Sequence, residues 1–176
     1  MIKYAITDPS FFNPLNKKDY LRYKEADFLL FRDKTTNSYN TLAKAFLENS
    51  QNLNAKRLLH QDFLLAKSLN AYGVHLTSNQ FNSIKRAKDL GLFVVVSTHS
   101  IAEAKRAKEL GANAITFSPI FSTPNKGKPK GVEELKKVVK CCNIKVIALG
   151  GIVTNEHIKK IEASNAWGFA SIRYFK

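Results

Sequence analysis

The stretch SIKRAKDLG, Ser83 to Gly91, returns as EAKRAKELG, Glu103 to Gly111, at an offset of 20 residues. Each copy carries a helical pattern of apolar and basic residues and ends on a glycine, a common helix stop. Each is followed by an apolar run: Leu92-Phe93-Val94-Val95-Val96 after the first, Ala114-Ile115-Thr116-Phe117 after the second. A helix–strand unit of this size repeated in tandem belongs to a parallel α/β architecture.

The same pattern extends in both directions. Tyr4-Ala5-Ile6, Phe28 to Phe31, Arg57-Leu58-Leu59, Gly73 to Leu76, Lys145 to Leu149 and Phe169 to Ile172 are further short apolar runs. These eight runs lack clean in–out alternation and are rich in Val, Ile and Phe, as strands buried on both faces are. Between them, Leu42, Ala45 and Phe46 fall at i, i+3, i+4 spacing, as do Leu135, Val138 and Val139, with Lys136, Lys137 and Lys140 turned to water. Ile158 and Ile161 form a narrower stripe, with Thr154 or Asn155 as its N-cap.

The expected fold is a compact (β/α)8 TIM barrel, one domain over residues 1–176, with an open doubly wound sheet as the alternative. Typical barrels run to about 250 residues. The sequence stops at Tyr174-Phe175-Lys176, directly after the eighth strand, so the final C-terminal helix is expected to be lacking. That predicts an open apolar flank near strands one and eight, covered either by a second copy in a homo-oligomer or by a rearranged segment.

Lys and Arg number 28 against 14 Asp and Glu, a formal net charge of +14. Such a surplus raises nucleic acid, a membrane surface or an anionic small molecule as partner. No helix-turn-helix pattern, zinc spacing or aromatic-interleaved basic motif supports nucleic acid. No apolar run approaches the ~20 residues of a membrane span, and the N-terminus has no secretory pattern, so a soluble cytoplasmic protein is expected. Cys141 and Cys142 are adjacent, a poor geometry for an unstrained disulfide, and reduced thiols are expected. Most of the lysines, Lys85, Lys105 and Lys159 among them, fall on solvated helix faces.

In a barrel the active site lies at the C-terminal strand ends. Those ends read Thr7-Asp8; Arg32 and Lys34; His60-Gln61-Asp62; Thr77-Ser78; Ser97-Thr98-His99; Ser118 to Thr123 with Lys126; Gly150-Gly151; and Arg173. This rim is cationic and rich in hydroxyls, and it suits an anionic ligand. Gly150-Gly151 precedes a helix N-terminus and lets backbone N–H groups approach a phosphate. Arg32 and Lys34, two apart at one strand end, share a side and either reaches a phosphate.

At these positions the sequence resembles the thiamine phosphate synthase / TenI family of (β/α)8 barrels. The resemblance rests on Tyr4-Ala5-Ile6-Thr7-Asp8, Phe31-Arg32-Asp33-Lys34, Gly73-Val74-His75-Leu76, Ser97-Thr98-His99-Ser100, Pro119-Ile120-Phe121-Ser122-Thr123 with Lys126, and Ile147 to Ile152. It implies that Arg32, Lys34, Ser97 and Lys126 hold the pyrophosphate of a pyrimidine substrate. It implies a thiazole phosphate at Thr123, Gly151 and the end of strand eight, Ile172 and Arg173. In the synthases pyrophosphate is expelled with magnesium stabilising the leaving group, and the thiazole nitrogen attacks.

Two departures bear on the reaction. The metal aspartates of the synthases match Gln61 and Gln80, and a neutral amide is a poorer ligand for a hard dication, so no metal is expected unless Asp62 shifts into reach. The TenI branch also lacks those acids, and Val74 to Phe81 resembles its fourth strand more closely. TenI members include thiazole tautomerases, which move protons without a metal. Their histidine matches Pro119, so His60 is the expected replacement, with His99 and then His75 behind it. The readings are a TenI-type thiazole phosphate enzyme without cofactor, a magnesium-dependent thiamine phosphate synthase, or a non-catalytic phosphate-binding regulator or scaffold.

Overall fold

The computed structural model describes residues 1–124 and 126–176. Eight parallel strands close into a barrel in chain order. They are β1 (Ile2–Ile6), β2 (Phe28–Phe31), β3 (Lys56–His60), β4 (Gly73–Leu76), β5 (Phe93–Thr98), β6 (Ala114–Phe117), β7 (Lys145–Leu149) and β8 (Gly168–Ser171). Closure is direct: Ile2 pairs with Gly168 and Ala5 with Ser171, which removes the open-sheet alternative. Six α-helices alternate with the strands among the described residues: α1 (Tyr39–Asn49), α2 (Phe63–Ser68), α3 (Ile84–Asp89), α4 (Ile101–Glu109), α5 (Gly131–Cys142) and α6 (Asn155–Glu162).

The strands read as unbroken apolar runs because both faces are buried. Tyr4, Ile6, Phe28, Leu30, Leu58, Val95, Ile147 and Ala170 form one apolar cluster. Ala5, Leu29, Phe31, Leu59, Val94, Val96, Ile115 and Ala148 belong to a second, shared with the helices. Successive residues therefore fill the barrel and its outer jacket in turn. The repeated helices behave alike: Ala87 of α3 and Ala104 and Ala107 of α4 are fully buried. Past each helix the chain turns at glycine, with Leu92 N–H bonded to Ala87 O and Ala112 N–H to Ala107 O. Thr154 caps α6, its hydroxyl accepting from His157 N–H at 3.3 Å.

The link from β1 to β2 carries a 3-10 segment, Lys17–Tyr23, in place of an α-helix. Phe12, Tyr20 and Tyr23 interlock there, and Phe175 from the final 3-10 turn, Arg173–Phe175, lies 6.2 Å from Tyr23 and 6.3 Å from Phe169. The chain's own rearranged segment thus covers the flank beside β1 and β8. The homo-oligomer loses the reason for which it was expected, although Leu15 and Leu21 stay exposed on the outside of that segment. No helix among the described residues is long and apolar enough to cross a membrane.

Candidate functional site

A cavity of about 450 Å³ opens at the C-terminal ends of the strands. Arg32, Lys34, His60, Ser97, His99, Thr123, Lys126, Gly150, Gly151, Ile172 and Arg173 all line it. Not every rim residue reaches it. Thr98 is buried in the wall with its hydroxyl donating to Thr116 O at 2.9 Å, and Asp8 accepts from Ser10 at 2.6 Å. Asn79 lines the cavity and nothing in the sequence singled it out. No Asp or Glu is among the described lining residues, so four cations face the space with no carboxylate in its wall, Asp33 beside Arg32 lying outside it.

Local bonds fix the cationic end of β2. Arg32 N–H donates to Thr7 Oγ1 at 2.9 Å. The Tyr39 hydroxyl donates to Phe31 O at 2.9 Å and accepts from His60 N–H at 2.9 Å, fastening β2 to β3. Arg32 beside Lys34 holds that amine below its ordinary pKa, with burial and Lys126 adding to the effect. This mutual repulsion is relieved when an anion arrives.

The three rim histidines differ. His60 is 9% exposed, and burial, then Arg32 and Lys34, push its pKa down to about 4. Its ring makes no hydrogen bond to the described residues, and the residue lines the cavity. His75 lies deeper, and burial, then His60 and Arg32, push it down to about 3. Its Nδ1 is 3.0 Å from the Tyr4 hydroxyl and its Nε2 3.0 Å from Ser97 Oγ. His99 is more open, and its Nδ1–H donates to Ser118 O at 3.1 Å.

Gly151 has φ +70° and a Cβ there would stand 2.5 Å from Ser122 O. Gly150, at φ +103°, would meet Pro119 Cα at 2.8 Å. Both glycines therefore seat the loop between β6 and α5, which is tied to them by Ile120 N–H to Leu149 O at 2.9 Å and Phe121 N–H to Gly150 O at 3.0 Å. That loop carries Thr123 and Lys126 into the cavity wall.

A family model described as thiamine monophosphate synthase matches residues 4–175. The chain belongs to the thiamine monophosphate synthase family. A relative from Aquifex aeolicus strain VF5, named provisionally as thiamine-phosphate synthase 2, is 35% identical over 179 residues, 98% of this chain and 96% of that one. The thiamine-phosphate synthase of Methanoculleus marisnigri is 28% identical over 96% of this chain and 84% of its own. Among solved structures, thiamine phosphate pyrophosphorylase from Pyrococcus furiosus superposes with a TM-score of 0.84 at 23% identity, covering 97% of this chain and 85% of that chain, a likeness of fold.

The family implies magnesium, and the residues present do not fit it. Gln80 Oε1 accepts from Thr77 N–H at 3.1 Å and from the Thr77 hydroxyl at 3.2 Å, while its amide donates to Gln61 O at 3.2 Å. Gln80 is thus committed to its own loop and to the turn after β3. Asp62 Oδ1 caps α2 by accepting from Leu65 N–H at 2.8 Å, and Asp62 does not line the cavity. To reach a metal in the cavity, Asp62 would have to give up that cap. Among the described residues no group of three His, Cys, Asp or Glu side chains could hold a metal ion.

Proposed function

We propose that this member of the family is a TenI-type enzyme that moves protons on a thiazole phosphate. One observation carries the reading: a cationic, carboxylate-free cavity with a neutral, unengaged imidazole, His60, among its walls. Thr123, Gly150, Gly151, Ile172 and Arg173 take the phosphate, with backbone N–H groups beside a helix N-terminus supplementing the cation. Arg32 and Lys34 face the carboxylate of the same substrate. Neutral His60 takes a proton from the thiazole ring carbon, the ring double bond shifts, and the imidazolium returns the proton at the new position. The bound anion offsets Arg32 and Lys34, so the pKa of His60 rises from about 4 toward the working range as substrate enters. His99, with Nδ1 held by Ser118 O, presents Nε2 as a second proton carrier.

A thiamine phosphate synthase is the second reading, favoured by the names of the relatives. Thiamine formation assayed with and without magnesium, beside conversion of the thiazole isomer, separates the two. Isomer conversion indifferent to magnesium is expected; robust metal-dependent thiamine formation would defeat the proposal. His60→Ala is expected to lower isomer conversion by about 10²-fold or more. Unchanged conversion would remove His60 as the acid–base. If neither thiazole phosphate nor pyrophosphate binds, the non-catalytic scaffold gains.

A further inference from the structure

Four polar side chains cross the barrel at the floor of the cavity, His75 and Ser97 lining it: Tyr4 on β1, His75 on β4, Ser97 on β5 and Thr116 on β6. Tyr4, His75 and Thr116 are 0–3% exposed, so their hydrogen bonds must be settled among themselves. The Tyr4 hydroxyl has His75 Nδ1, at 3.0 Å, as its partner among the described residues. The phenol stays protonated, because burial raises its pKa well above the ordinary value. It therefore holds one hydrogen, and the acceptor for that hydrogen is Nδ1. A neutral imidazole that accepts at Nδ1 carries its own hydrogen at Nε2. Nε2–H then donates to Ser97 Oγ at 3.0 Å. The opposite tautomer would turn Nδ1–H onto the phenol oxygen and strand the phenolic hydrogen, the strongest neutral donor of the set, in a buried site. The Thr116 hydroxyl, 3.5 Å from Nε2, is at the limit of hydrogen bonding and competes weakly in either case.

We infer that Tyr4 and His75 form a one-way donor relay that fixes Ser97 as a hydrogen-bond donor to an anionic oxygen of the ligand. Ser97 Oγ receives Nε2–H on its barrel side, so its own hydrogen is directed into the cavity it lines. A hydroxyl so committed suits a phosphate, pyrophosphate or carboxylate oxygen and rejects a donor at that point. Tyr4 and His75 touch no ligand in this scheme and are positioning residues. The inference rests on the proposed anionic ligand only for what Ser97 meets; the direction of the relay stands without it.

Long-range ¹⁵N–¹H NMR of the histidine side chains, on the full chain without ligand, reads the tautomer directly. His75 is expected with a bare Nδ1 and a protonated Nε2; a protonated Nδ1 would overturn the relay. Tyr4→Phe keeps the buried ring and removes the donor. It is expected to give a mixture of His75 tautomers and a pyrophosphate Kd raised several-fold, whereas an unchanged tautomer with unchanged Kd would overturn Tyr4's part. Should that variant not fold, the wild-type spectrum still decides. Ser97→Ala is expected to raise the pyrophosphate Kd roughly tenfold, the worth of one hydrogen bond to a charged group, and an unchanged Kd would overturn Ser97 as donor. Pyrophosphate that fails to bind the wild-type protein at all would remove the anionic-ligand reading, while the spectrum would still test the relay.

Discussion

His60 and His75 are 6.4 Å apart ring to ring, yet only His75 has its ring nitrogens bonded to described neighbours. His75 spends both nitrogens on Tyr4 and Ser97, which is why it drops out as an acid–base although it lies in the same cavity. Both are neutral in the folded protein and hold their pKa values, about 4 and about 3, below the ordinary value of 6.5. Between pH 6.5 and about 4 the unfolded chain therefore binds protons that the folded chain refuses. Stability is full above pH 6.5 and falls as the pH drops through that window. Each histidine accounts for about 2 kcal/mol lost between pH 7 and pH 5. Urea unfolding at the two values is expected to show the drop, and His60→Gln to remove about half of it. A flat profile would mean that these rings are not neutral when folded. Phosphate should shallow the slope, since an anion beside Arg32 and Lys34 raises the folded pKa of His60. The rim residues were legible in the sequence because strand ends place them automatically. Tyr4 and Tyr39 were not: their partners lie 71 and 21 residues away, and local pattern carries no trace of such pairs.

At the scale of elements, strand identity was readable because burial on both faces leaves a plain apolar signature, and β2, β4, β6 and β7 have the expected bounds. β5 runs on to Thr98, past the apolar run, since Ser97 faces the interior network and Thr98 bonds into the wall. The β1–β2 link defeated helix patterning because Asn13, Pro14 and Asn16 favour turns, and aromatic packing rather than a helical stripe holds it. Gly150-Gly151 was read as a phosphate signal, and the backbone adds a second demand, the seating of the β6–α5 loop. Gly151→Ala is accordingly expected to lower stability by about 1–3 kcal/mol, from left-handed backbone strain and the clash with Ser122 O. It should also weaken phosphate binding, because Thr123 and Lys126 move with the loop. Denaturant melts and phosphate titration check both; intact affinity in the presence of lost stability would detach the loop from the site.

Across the whole molecule, a surplus of +14 is spread mostly over helix faces, and the part that bears on the proposed ligand is the cavity, whose described lining holds Arg32, Lys34, Lys126 and Arg173 and no carboxylate. On the proposed reading, a site so lined is expected to take a free polyanion in preference to its less charged magnesium complex. Pyrophosphate affinity is expected to survive a chelator unchanged and to fall when magnesium is added; binding that requires magnesium would show a metal site that the amides at Gln61 and Gln80 do not suggest.

The barrel must also be sealed where β8 meets β1, and Phe175 of the final turn is the buried ring at that seam, beside Tyr23 and Tyr174. Phe175 is 6% exposed and packs on Tyr23, Phe169 and Tyr174, with centroids 6.2, 6.3 and 5.3 Å away. Its removal leaves a void between two elements that cannot close without moving Tyr23, so Phe175→Ala is expected to cost about 3–5 kcal/mol in denaturant unfolding. Arg173 shares the turn and lines the cavity, so phosphate affinity should fall in the same variant. Leu21, 58% exposed on the outside of the neighbouring segment, supplies the control: Leu21→Ala should stay within about 0.5 kcal/mol of the parent. Equal effects from the two substitutions would mean that the seam is held by general hydrophobic cover and not by the buried ring. A large loss confined to Phe175 would show that the 3-10 turn serves as the barrel's last packing element.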